Sequence, residues 1–326
     1  MKALVVHALS DDLSGVGLAD VPDPTPRAGE LLVRVRAASL NFPDLLMTRG
    51  GYQLKPPLPF TPGMEMAGEV VAADPASGYA PGERVVAGTR LGSFAELVAI
   101  DAGAARRVPE GMDFAHAASV GAAYLTAYVA LVRLGRMRPG DWVLVHGATG
   151  GVGLAAVDLA QALGARVIAT SRSPAKLARV AAEYAVEATL PAAGFREAVN
   201  ELTGAEGNGG ADLVFDPVGG DVFDESTRAI AFGGRLLVVG FTSGRIATVP
   251  TNLPLIKGFA VIGVRAGEFG RRFPALGREN VDAVWALAAA GRIRPRVDRR
   301  LPLDRWREAF AAMQASEQVG KIVLES

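Results

Sequence analysis

Short apolar runs separated by turn-forming clusters fill the first third of the chain. Residues 31–35 and 83–87 alternate or group their apolar side chains as single strands do. Clusters rich in Pro and Gly, such as residues 22–26 and 55–59, lie between such runs. This pattern predicts a mostly β region from residue 1 to about 115.

The rhythm then changes to alternating strands and helices. Near-continuous apolar runs predict strands at residues 142–146, 166–170, 212–216 and 235–239. An amphipathic helix is predicted at 151–163, and Pro174 is placed to begin the next one. Buried strands joined by helices predict an α/β, doubly wound parallel sheet that is covered on both faces.

The last 70 residues mix both patterns. A strand is predicted at 259–264, helices at 280–290 and 304–315, and a final strand at 321–324. Residues 114–132 carry no Asp, Glu, Lys or Arg and are nearly long enough to span a bilayer. Because this stretch is rich in Ala and Gly and includes His, Ser, Thr and Tyr, we expect a buried helix that runs into the next domain.

Composition excludes several function classes. The 326 residues suit about two domains, and Lys plus Arg equals Asp plus Glu at 34 each, so no basic excess indicates nucleic acid or an anionic membrane as a partner. The absence of cysteine excludes disulfides, thiolate catalysis and Cys-ligated zinc. It also fits a reducing compartment, and the N-terminus is typical of a strand rather than a signal peptide. We therefore expect a cytoplasmic protein.

A glycine-rich turn stands between the strand at 142–146 and the helix at 151–163. It has the sequence Gly147-Ala148-Thr149-Gly150-Gly151-Val152-Gly153. Backbone N–H groups at such a helix start suit a pyrophosphate, so the turn predicts a dinucleotide site. Gly150 would admit the phosphates and Gly153 would let the helix pack closely, although Ala148 stands where the common motif has glycine. The alternative is a turn without a ligand.

The end of the next predicted strand indicates which dinucleotide is bound. An NAD site places Asp or Glu there for the ribose 2′-hydroxyl, whereas this chain has Ser171 and Arg172, followed by Lys176. Hydroxyl and cationic donors suit a 2′-phosphate, so we expect NADPH. In the alternative interpretation, Arg172 and Lys176 are ordinary solvated charges.

Several motifs together resemble the medium-chain dehydrogenase/reductase superfamily, and within it the zinc-independent quinone oxidoreductases, the zeta-crystallin-like branch. The resemblance implies a Rossmann domain at 118–255 and a discontinuous β-rich GroES-like catalytic domain at 1–117, to which the chain returns at 256–326 with a dimerisation strand. The motifs are Asn41-Phe42-Pro43-Asp44, Pro62-Gly63-Met64-Glu65-Met66-Ala67-Gly68, Thr126-Ala127-Tyr128, residues 145–153 and Gly320-Lys321-Ile322-Val323-Leu324.

The resemblance also bears on zinc. Relatives that bind zinc carry their ligands where this chain has Asn41, Met64 and Ala122, which do not form a plausible ligand set. No pair of its three histidines, His7, His116 and His146, has metal-ligand spacing. We expect no metal site, and packing or surface positions for the histidines.

The resemblance implies an active site in an interdomain cleft. Asn41 would lie near the nicotinamide and donate to the substrate oxygen or the carboxamide, and Tyr52 would either donate to the reduced oxygen or merely pack at the entrance. Asp44 and Glu65 would be structural, and Lys321 would be either near the pyrophosphate or exposed. The expected cofactor-binding residues are Asn41, Thr126, Ala148, Thr149, Gly150, Gly151, Val152, Ser171, Arg172, Lys176, Phe241, Thr242 and Lys321. Leu190 departs from relatives that place a tyrosine beside the 2′-phosphate.

These expectations lead to a function. Hydride transfer to a quinone needs no Lewis acid, so the leading hypothesis is a zinc-independent NADPH:quinone reductase that acts on a small molecule. The alternatives are reduction of conjugated C=C bonds in enals, enones or enoyl thioesters, and a non-catalytic NADPH-binding protein. Arg265, Arg271 and Arg272 favour an acidic or CoA-like substrate unless they are surface charges. The strand at 259–264 resembles the edge through which relatives form homodimers.

Overall fold

The computed structural model describes residues 1–204 and 209–326 of the chain. They form two compact units. The first contains Met1–Ala122 and Pro295–Ser326, and the second is Ala123–Arg294. The chain returns to the first unit at Pro295, later than the expected position 256, because residues 260–263 pair as a strand within the sheet of the second unit.

The described residues contain the following strands and helices. The strands are β1 (Lys2–Val6), β2 (Val16–Asp20), β3 (Glu30–Ser39), β4 (Glu65–Ala73), β5 (Arg84–Gly88), β6 (Leu97–Asp101), β7 (Ala105–Arg107), β8 (Trp142–Val145), β9 (Arg166–Ser171), β10 (Ala188–Pro191), β11 (Ala211–Asp216), β12 (Ile230–Val238), β13 (Ala260–Gly263), β14 (Val297–Pro302) and β15 (Lys321–Glu325). The helices are α1 (Phe42–Thr48), α2 (Phe114–Ala118), α3 (Gly121–Tyr128), α4 (Gly151–Ala162), α5 (Pro174–Glu183), α6 (Arg196–Gly204), α7 (Gly220–Ser226), α8 (Asn252–Lys257), α9 (Ala266–Arg272), α10 (Pro274–Ala289) and α11 (Trp306–Gln314).

The first unit is built on a mainly antiparallel sheet with the strand order β14-β15-β3-β4-β5-β7, and β6 also pairs with β3. On β3, Leu31, Val33 and Val35 are buried on one face, as the two-residue period of a strand requires. Strands β3, β4 and β15 lie side by side, so the start of β4 and the start of β15 lie near the end of β3. This arrangement brings residues that are far apart in sequence to one place.

The second unit contains a six-stranded sheet with the order β10-β9-β8-β11-β12-β13, and every pairing in it is parallel. All side chains of β8 are buried, as expected for a strand covered on both faces. The chain runs outward from β8 to β9 and β10, then returns to β11 on the other side of β8. Such a reversal is where α/β sheets bind ligands, at the carboxyl ends of the strands. The α/β doubly wound fold is confirmed.

The stretch at 114–132 differs from its prediction. It forms α2 and α3 rather than one helix, and a π-helical turn follows at Val129–Leu134. The interruption lies at Ser119, whose hydroxyl donates to the carbonyl oxygen of Ala115 at 2.8 Å and so competes with the regular helical hydrogen bonds. Among the described residues, no helix combines the length and the apolarity that crossing a membrane requires.

Candidate active site

The glycine-rich turn leads from β8 into α4 as the sequence predicts. Gly150 is the N-cap of α4 and offers no side chain to cap the first helical turn. The N–H groups of Gly151, Val152 and Gly153 therefore face the start of the helix without an intrahelical acceptor. Together with the helix dipole, they form a site for an anionic group.

Backbone contacts inside the turn explain two of its glycines. A Cβ on Gly153 would lie 2.2 Å from the carbonyl oxygen of Gly147, so any side chain there would displace the turn. Gly147 has a φ of 56°, a conformation that favours glycine. Ala148 is buried, and its N–H donates to the carbonyl oxygen of Thr170 at 3.0 Å, which holds the turn against β9. The alanine at this position is therefore compatible with the turn.

The segment after β9 lies beside the turn. The hydroxyls of Thr149 and Ser171 are 3.1 Å apart, and both residues are buried. Arg172 is exposed and makes no hydrogen bond or ion pair with another described residue. Lys176 follows in the first turn of α5, whose N-cap is Ser173. Hydroxyl and cationic groups therefore stand at the strand end where an NAD site would have a carboxylate.

Two further loops meet the turn at the same edge of the sheet. The side chains of Pro217 and Val218, just after β11, lie within 3.5 Å of the position that a Cβ on Gly147 would occupy. The Thr242 N–H donates to the carbonyl oxygen of Pro217 at 3.1 Å, which joins the loop after β12 to the loop after β11. Phe241 in this loop is 46% exposed. The residues predicted to bind the cofactor after β8, β9 and β12 thus lie at the same edge of the sheet.

Asp216 at the end of β11 was missed in the sequence. Its Oδ1 accepts the N–H groups of Val218 and Gly219 at 2.8 and 2.9 Å, and burial raises the pKa of this carboxyl. Its Oδ2 is buried and has no hydrogen-bond partner among the described residues. The signal in the sequence was an acidic residue at a strand end followed by Pro-Val-Gly-Gly, which indicates a tight loop whose N–H groups bind the carboxylate.

His146, the residue before the glycine turn, is a buried structural residue. Its Nε2 lies 2.8 Å from the Ser226 hydroxyl, which itself donates to the carbonyl oxygen of Val222, and its Nδ1 lies 2.8 Å from the Thr170 hydroxyl. Burial lowers the pKa of His146 to about 3, so the ring is neutral. The neutral ring therefore accepts from Thr170 and donates to Ser226.

In the first unit, the half-buried Asn41 belongs to a polar cluster whose other two members, Glu65 and Lys321, are buried. Its Nδ2 donates to Glu65 Oε1 at 2.9 Å and to the carbonyl oxygen of Ser39 at 3.2 Å. The Lys321 ammonium donates to Asn41 Oδ1 at 2.7 Å and to Glu65 Oε1 at 3.1 Å. Glu65 Oε2 accepts the N–H of Ala122 at 2.8 Å. We call Asn41, Glu65 and Lys321 the buried triad.

Of the two positions predicted for Lys321, the exposed one is wrong. The Lys321 side chain is 5% exposed and its partner Glu65 is 2% exposed, so Lys321 is not an exposed lysine. Lys321, the first residue of β15, is held inside by its contacts with Asn41 and Glu65. Contact of Lys321 with the pyrophosphate stays a prediction.

Asp44 supports the segment that carries Asn41. Its Oδ2 accepts the N–H of Asn41 at 2.8 Å, and its Oδ1 accepts the N–H of Gly63 at 3.2 Å. Burial raises the pKa of Asp44 to about 7, although these N–H groups and the charge of Lys321 act to lower it. A carboxyl group with this pKa changes its charge close to neutral pH.

Tyr52 lies in the loop after α1 and is half-buried against the core of the first unit. Its hydroxyl has no hydrogen bond to any residue within 1–204 or 209–326. The ring therefore packs against the protein while the hydroxyl keeps its capacity to donate.

Comparisons with known proteins agree with this architecture. Residues 27–110 match the family model of the alcohol dehydrogenase GroES-like domain, and residues 151–283 match that of the zinc-binding dehydrogenases. Quinone oxidoreductase-like protein 2 of Mus musculus is 35% identical over 300 residues, which cover 90% of this chain and 84% of that protein. The chain belongs to the medium-chain dehydrogenase/reductase superfamily, in its quinone oxidoreductase branch.

Solved structures of this family cover the whole chain. A probable oxidoreductase from Mycobacterium abscessus is 38% identical with a TM-score of 0.89, and the match covers 100% of this chain and 99% of that one. A quinone oxidoreductase from Thermus thermophilus, also described in complex with NADPH, is 33% identical with a TM-score of 0.86 and full coverage of both chains. The predicted family and the Rossmann and GroES-like folds are therefore confirmed.

The residues of this family member do not fit a zinc ion of the kind its dehydrogenase relatives bind. The resemblance puts Asn41, Met64 and Ala122 at the three ligand positions, and only thiolate, imidazole and carboxylate groups are usual zinc ligands. The nearby Glu65 carboxylate already binds Lys321, Asn41 and the Ala122 N–H. The described part of the chain contains no group of three or more His, Cys, Asp or Glu residues placed to hold a metal.

Proposed function

We propose that the protein is an NADPH-dependent oxidoreductase that reduces quinones without a metal ion. The observation that carries this proposal is the uncapped start of α4 after Gly150, where three N–H groups meet the positive end of a helix. The Thermus thermophilus relative that is described with NADPH supports the choice of cofactor. Bound NADPH supplies the hydride, while the protein binds and orients the reactants and excludes water from them.

Cofactor binding is assigned to the edge of the sheet in the second unit. The first-turn N–H groups of α4 would bind the pyrophosphate, and the loop that carries Phe241 and Thr242 would contact the nicotinamide ribose. Hydroxyl and cationic side chains after β9 would bind the 2′-phosphate. The residues proposed for the cofactor in this unit are Thr126, Ala148, Thr149, Gly150, Gly151, Val152, Ser171, Arg172, Lys176, Phe241 and Thr242.

Substrate chemistry is assigned to two residues of the first unit. Tyr52 has a hydroxyl without a partner in the described chain, so it is available to donate a proton to the reduced oxygen. Asn41 is proposed to donate through its amide, and the 3.2 Å bond to the carbonyl oxygen of Ser39 is the longer of its two donor contacts. The Nδ2–H that bonds to Ser39 is therefore the one that would more easily donate to a ligand instead.

Two of the arginines after β13, Arg271 and Arg272, do not support an acidic substrate. Arg271 and Arg272 both form ion pairs with Glu268 on the same helix, at 2.9 and 2.8 Å. Their charge is partly neutralised by this carboxylate, as in ordinary surface ion pairs. A neutral quinone is consistent with this arrangement.

Homodimer formation is proposed through the exposed edge of the second unit. Among the described strands, β13 pairs with β12 alone and leaves its other edge open. Large apolar side chains are exposed near this edge, namely Phe232 (74%), Leu255 (81%), Ile256 (73%) and Val261 (36%). The Phe232 ring lies against Gly258, which joins α8 to β13, so these residues form one apolar edge patch that a second copy would cover.

A substrate panel tests the proposed function. Chelator-treated protein is incubated with NADPH and, in separate reactions, quinones, enones and enoyl thioesters, and NADPH oxidation is followed. We expect quinones to give the highest kcat/KM and chelation to leave it unchanged. Preferred reduction of a conjugated C=C bond, dependence on a metal, or saturable NADPH binding without turnover of any acceptor would each contradict the proposal.

Replacing Tyr52 by Phe separates donation from packing, since only the hydroxyl is lost. We expect kcat to fall at least about tenfold, given that general acid groups commonly contribute more than this. The melting temperature should stay near that of the unmodified chain because the ring still packs on the core. Equal kcat values for the two proteins would reduce Tyr52 to a packing role.

A further inference from the structure

The buried triad lies beside two positions at which, by the resemblance, zinc-binding relatives carry metal ligands. Lys321 binds Asn41, which stands at one ligand position, and Glu65, whose other oxygen binds the N–H of Ala122 at a second position. Burying a charge is costly unless it is paired and hydrogen-bonded. Here the carboxylate of Glu65 balances the ammonium, so Lys321 and Glu65 together are neutral.

We propose that Lys321 is a positioning residue: with Glu65 it replaces the metal as the fixed charge of this site and holds the Asn41 amide in one orientation. The proposal rests on the proposed function, because the amide matters for hydride transfer only if Asn41 faces the reacting groups. It assigns Lys321 a different role from that of a pyrophosphate ligand.

Charge explains why one amide orientation is selected. Asn41 Oδ1 accepts from the ammonium at 2.7 Å, and Nδ2 donates to the Glu65 carboxylate at 2.9 Å. A flipped amide would direct its NH₂ group at the ammonium and its oxygen at the carboxylate, so both contacts would become repulsive. Without Lys321, only the contacts to Glu65 and Ser39 would remain.

The backbone is arranged to bring this lysine inside. Gly320 has a φ of 92°, and a Cβ there would lie 2.4 Å from the carbonyl oxygen of Arg296. The Lys321 N–H donates to the same carbonyl at 2.9 Å, which fixes the first residue of β15 beside β14. The glycine therefore permits the turn that directs the lysine toward Asn41.

Three variants and one control test the proposal. Lys321→Met removes the ammonium, Lys321→Met with Glu65→Gln removes both charges, and Lys321→Arg keeps the positive charge. Lys2→Met is the matched control, since Lys2 is 61% exposed in its side chain and pairs with the exposed Asp20. Each protein is assayed for melting temperature, NADPH dissociation constant and single-turnover quinone reduction, and the Asn41 side-chain amide is followed by ¹⁵N NMR.

The expected results separate positioning from stability and from cofactor binding. Lys321→Met lowers the melting temperature, and the double variant recovers most of it because no unpaired charge is left. Both keep the NADPH dissociation constant within about twofold but reduce quinones at least about tenfold more slowly, whereas Lys321→Arg recovers part of the rate. The Asn41 amide protons, resolved and slowly exchanging in the unmodified chain and in the control, exchange faster in both Met variants.

Two results would overturn the proposal. The first is a double variant with an unchanged rate and unchanged Asn41 resonances. The second is a tenfold weaker binding of NADPH with an unchanged rate, which would make Lys321 a cofactor ligand instead. If the unmodified chain reduces no acceptor, the proposed function fails, while the amide resonances still decide whether Lys321 fixes Asn41.

Discussion

Single residues after β9 are proposed to decide which nicotinamide cofactor binds at this site. Ser171 and Arg172 offer a hydroxyl and, within the described chain, an unpaired guanidinium where a carboxylate would repel a phosphate. Leu190 lies on β10 opposite Thr170, so it offers only an apolar surface there. We therefore expect the discrimination between NADPH and NADH to depend on the cationic donors, and Arg172, which is more exposed than Lys176, is the one to replace.

Arg172→Glu is expected to shift the preference from NADPH toward NADH. Losing a hydrogen bond to a charged group costs on the order of 1–3 kcal/mol, which corresponds to a change of roughly fivefold to 150-fold in the ratio of dissociation constants. Both constants are measured by titration. Arg278→Glu, the same charge change on the surface of α10, is the control and should leave the ratio unaltered. An unaltered ratio in Arg172→Glu would remove Arg172 as the selector.

Asp44, which binds the backbone of Asn41, makes the stability of the fold depend on pH. Its pKa of about 7 in the folded chain exceeds the ordinary value of 3.8, so the folded state holds a proton that the unfolded state has lost between these values. Stability contributed by this group therefore falls as pH rises from about 4 to about 7. Below that window both states are protonated, and above it the penalty is complete.

Asp44→Asn removes this dependence. Between pH 5 and pH 8 the unmodified chain should lose about 2–3 kcal/mol of unfolding free energy relative to the variant, at 1.36 kcal/mol for each pKa unit. Urea unfolding at constant ionic strength measures the difference. The variant is expected to be less stable at pH 5, because an amide cannot accept both backbone N–H groups. Parallel pH profiles for the two proteins would contradict the assigned pKa.

At the residue level, the sequence supplied candidate donors for the 2′-phosphate but not the contacts between distant residues. Ser171 and Arg172 were identified from their distance to the glycine turn, which local spacing determines. The partners of Lys321 were not predicted, because they depend on β15 lying beside β3, whose residues are about 280 positions earlier in the chain. Asp216 was missed because its hydrogen bonds to the N–H groups of Val218 and Gly219 depend on the conformation of the loop after β11.

At the level of elements, the glycine turn and α4 are where sequence and structure agree most closely. A strand, a turn and an amphipathic helix follow one another within about 20 residues, so local pattern was sufficient. The helix expected at 114–132 shows the limit of such patterns, since Ser119 interrupts it and Glu65 of a distant strand binds the N–H of Ala122. Periodicity in the sequence does not report such tertiary contacts.

Gly153→Ala tests the geometry of the turn. Its Cβ would lie 2.2 Å from the carbonyl oxygen of Gly147, so the turn must open, and we expect NADPH binding to weaken at least about tenfold together with a lower melting temperature. Gly267→Ala on α9 is the control, because its Cβ would meet only the end of the Arg271 side chain at 3.5 Å. Unchanged binding by Gly153→Ala would show that the turn does not need its close backbone contact.

At the level of the whole molecule, the alternation of β-rich and α/β segments predicted about two domains, and the described residues form two compact units. The return point was placed too early, because the strand now known as β13 was assigned to the first unit. Its pairing with β12 became visible only in the sheet, where it forms the outer strand. An apolar sequence alone does not show which of two sheets a strand joins.

The apolar edge patch makes the oligomeric state testable. Leu255→Asp combined with Ile256→Asp places two charges on the patch, so we expect light scattering to show a monomer where the unmodified chain is a dimer. Val71→Asp, which charges a 37% exposed apolar residue on β4, serves as the comparison and should stay dimeric. A monomeric unmodified chain, or a dimer that survives both substitutions, would exclude this patch as the interface.

Cofactor binding at the start of α4 is tested most directly by calorimetric titration of the purified chain with NADPH and, separately, with NADH. The predicted result is saturable binding of one NADPH for each chain, tighter than the binding of NADH. Absence of saturable heat with both nucleotides would contradict a dinucleotide site at residues 147–153.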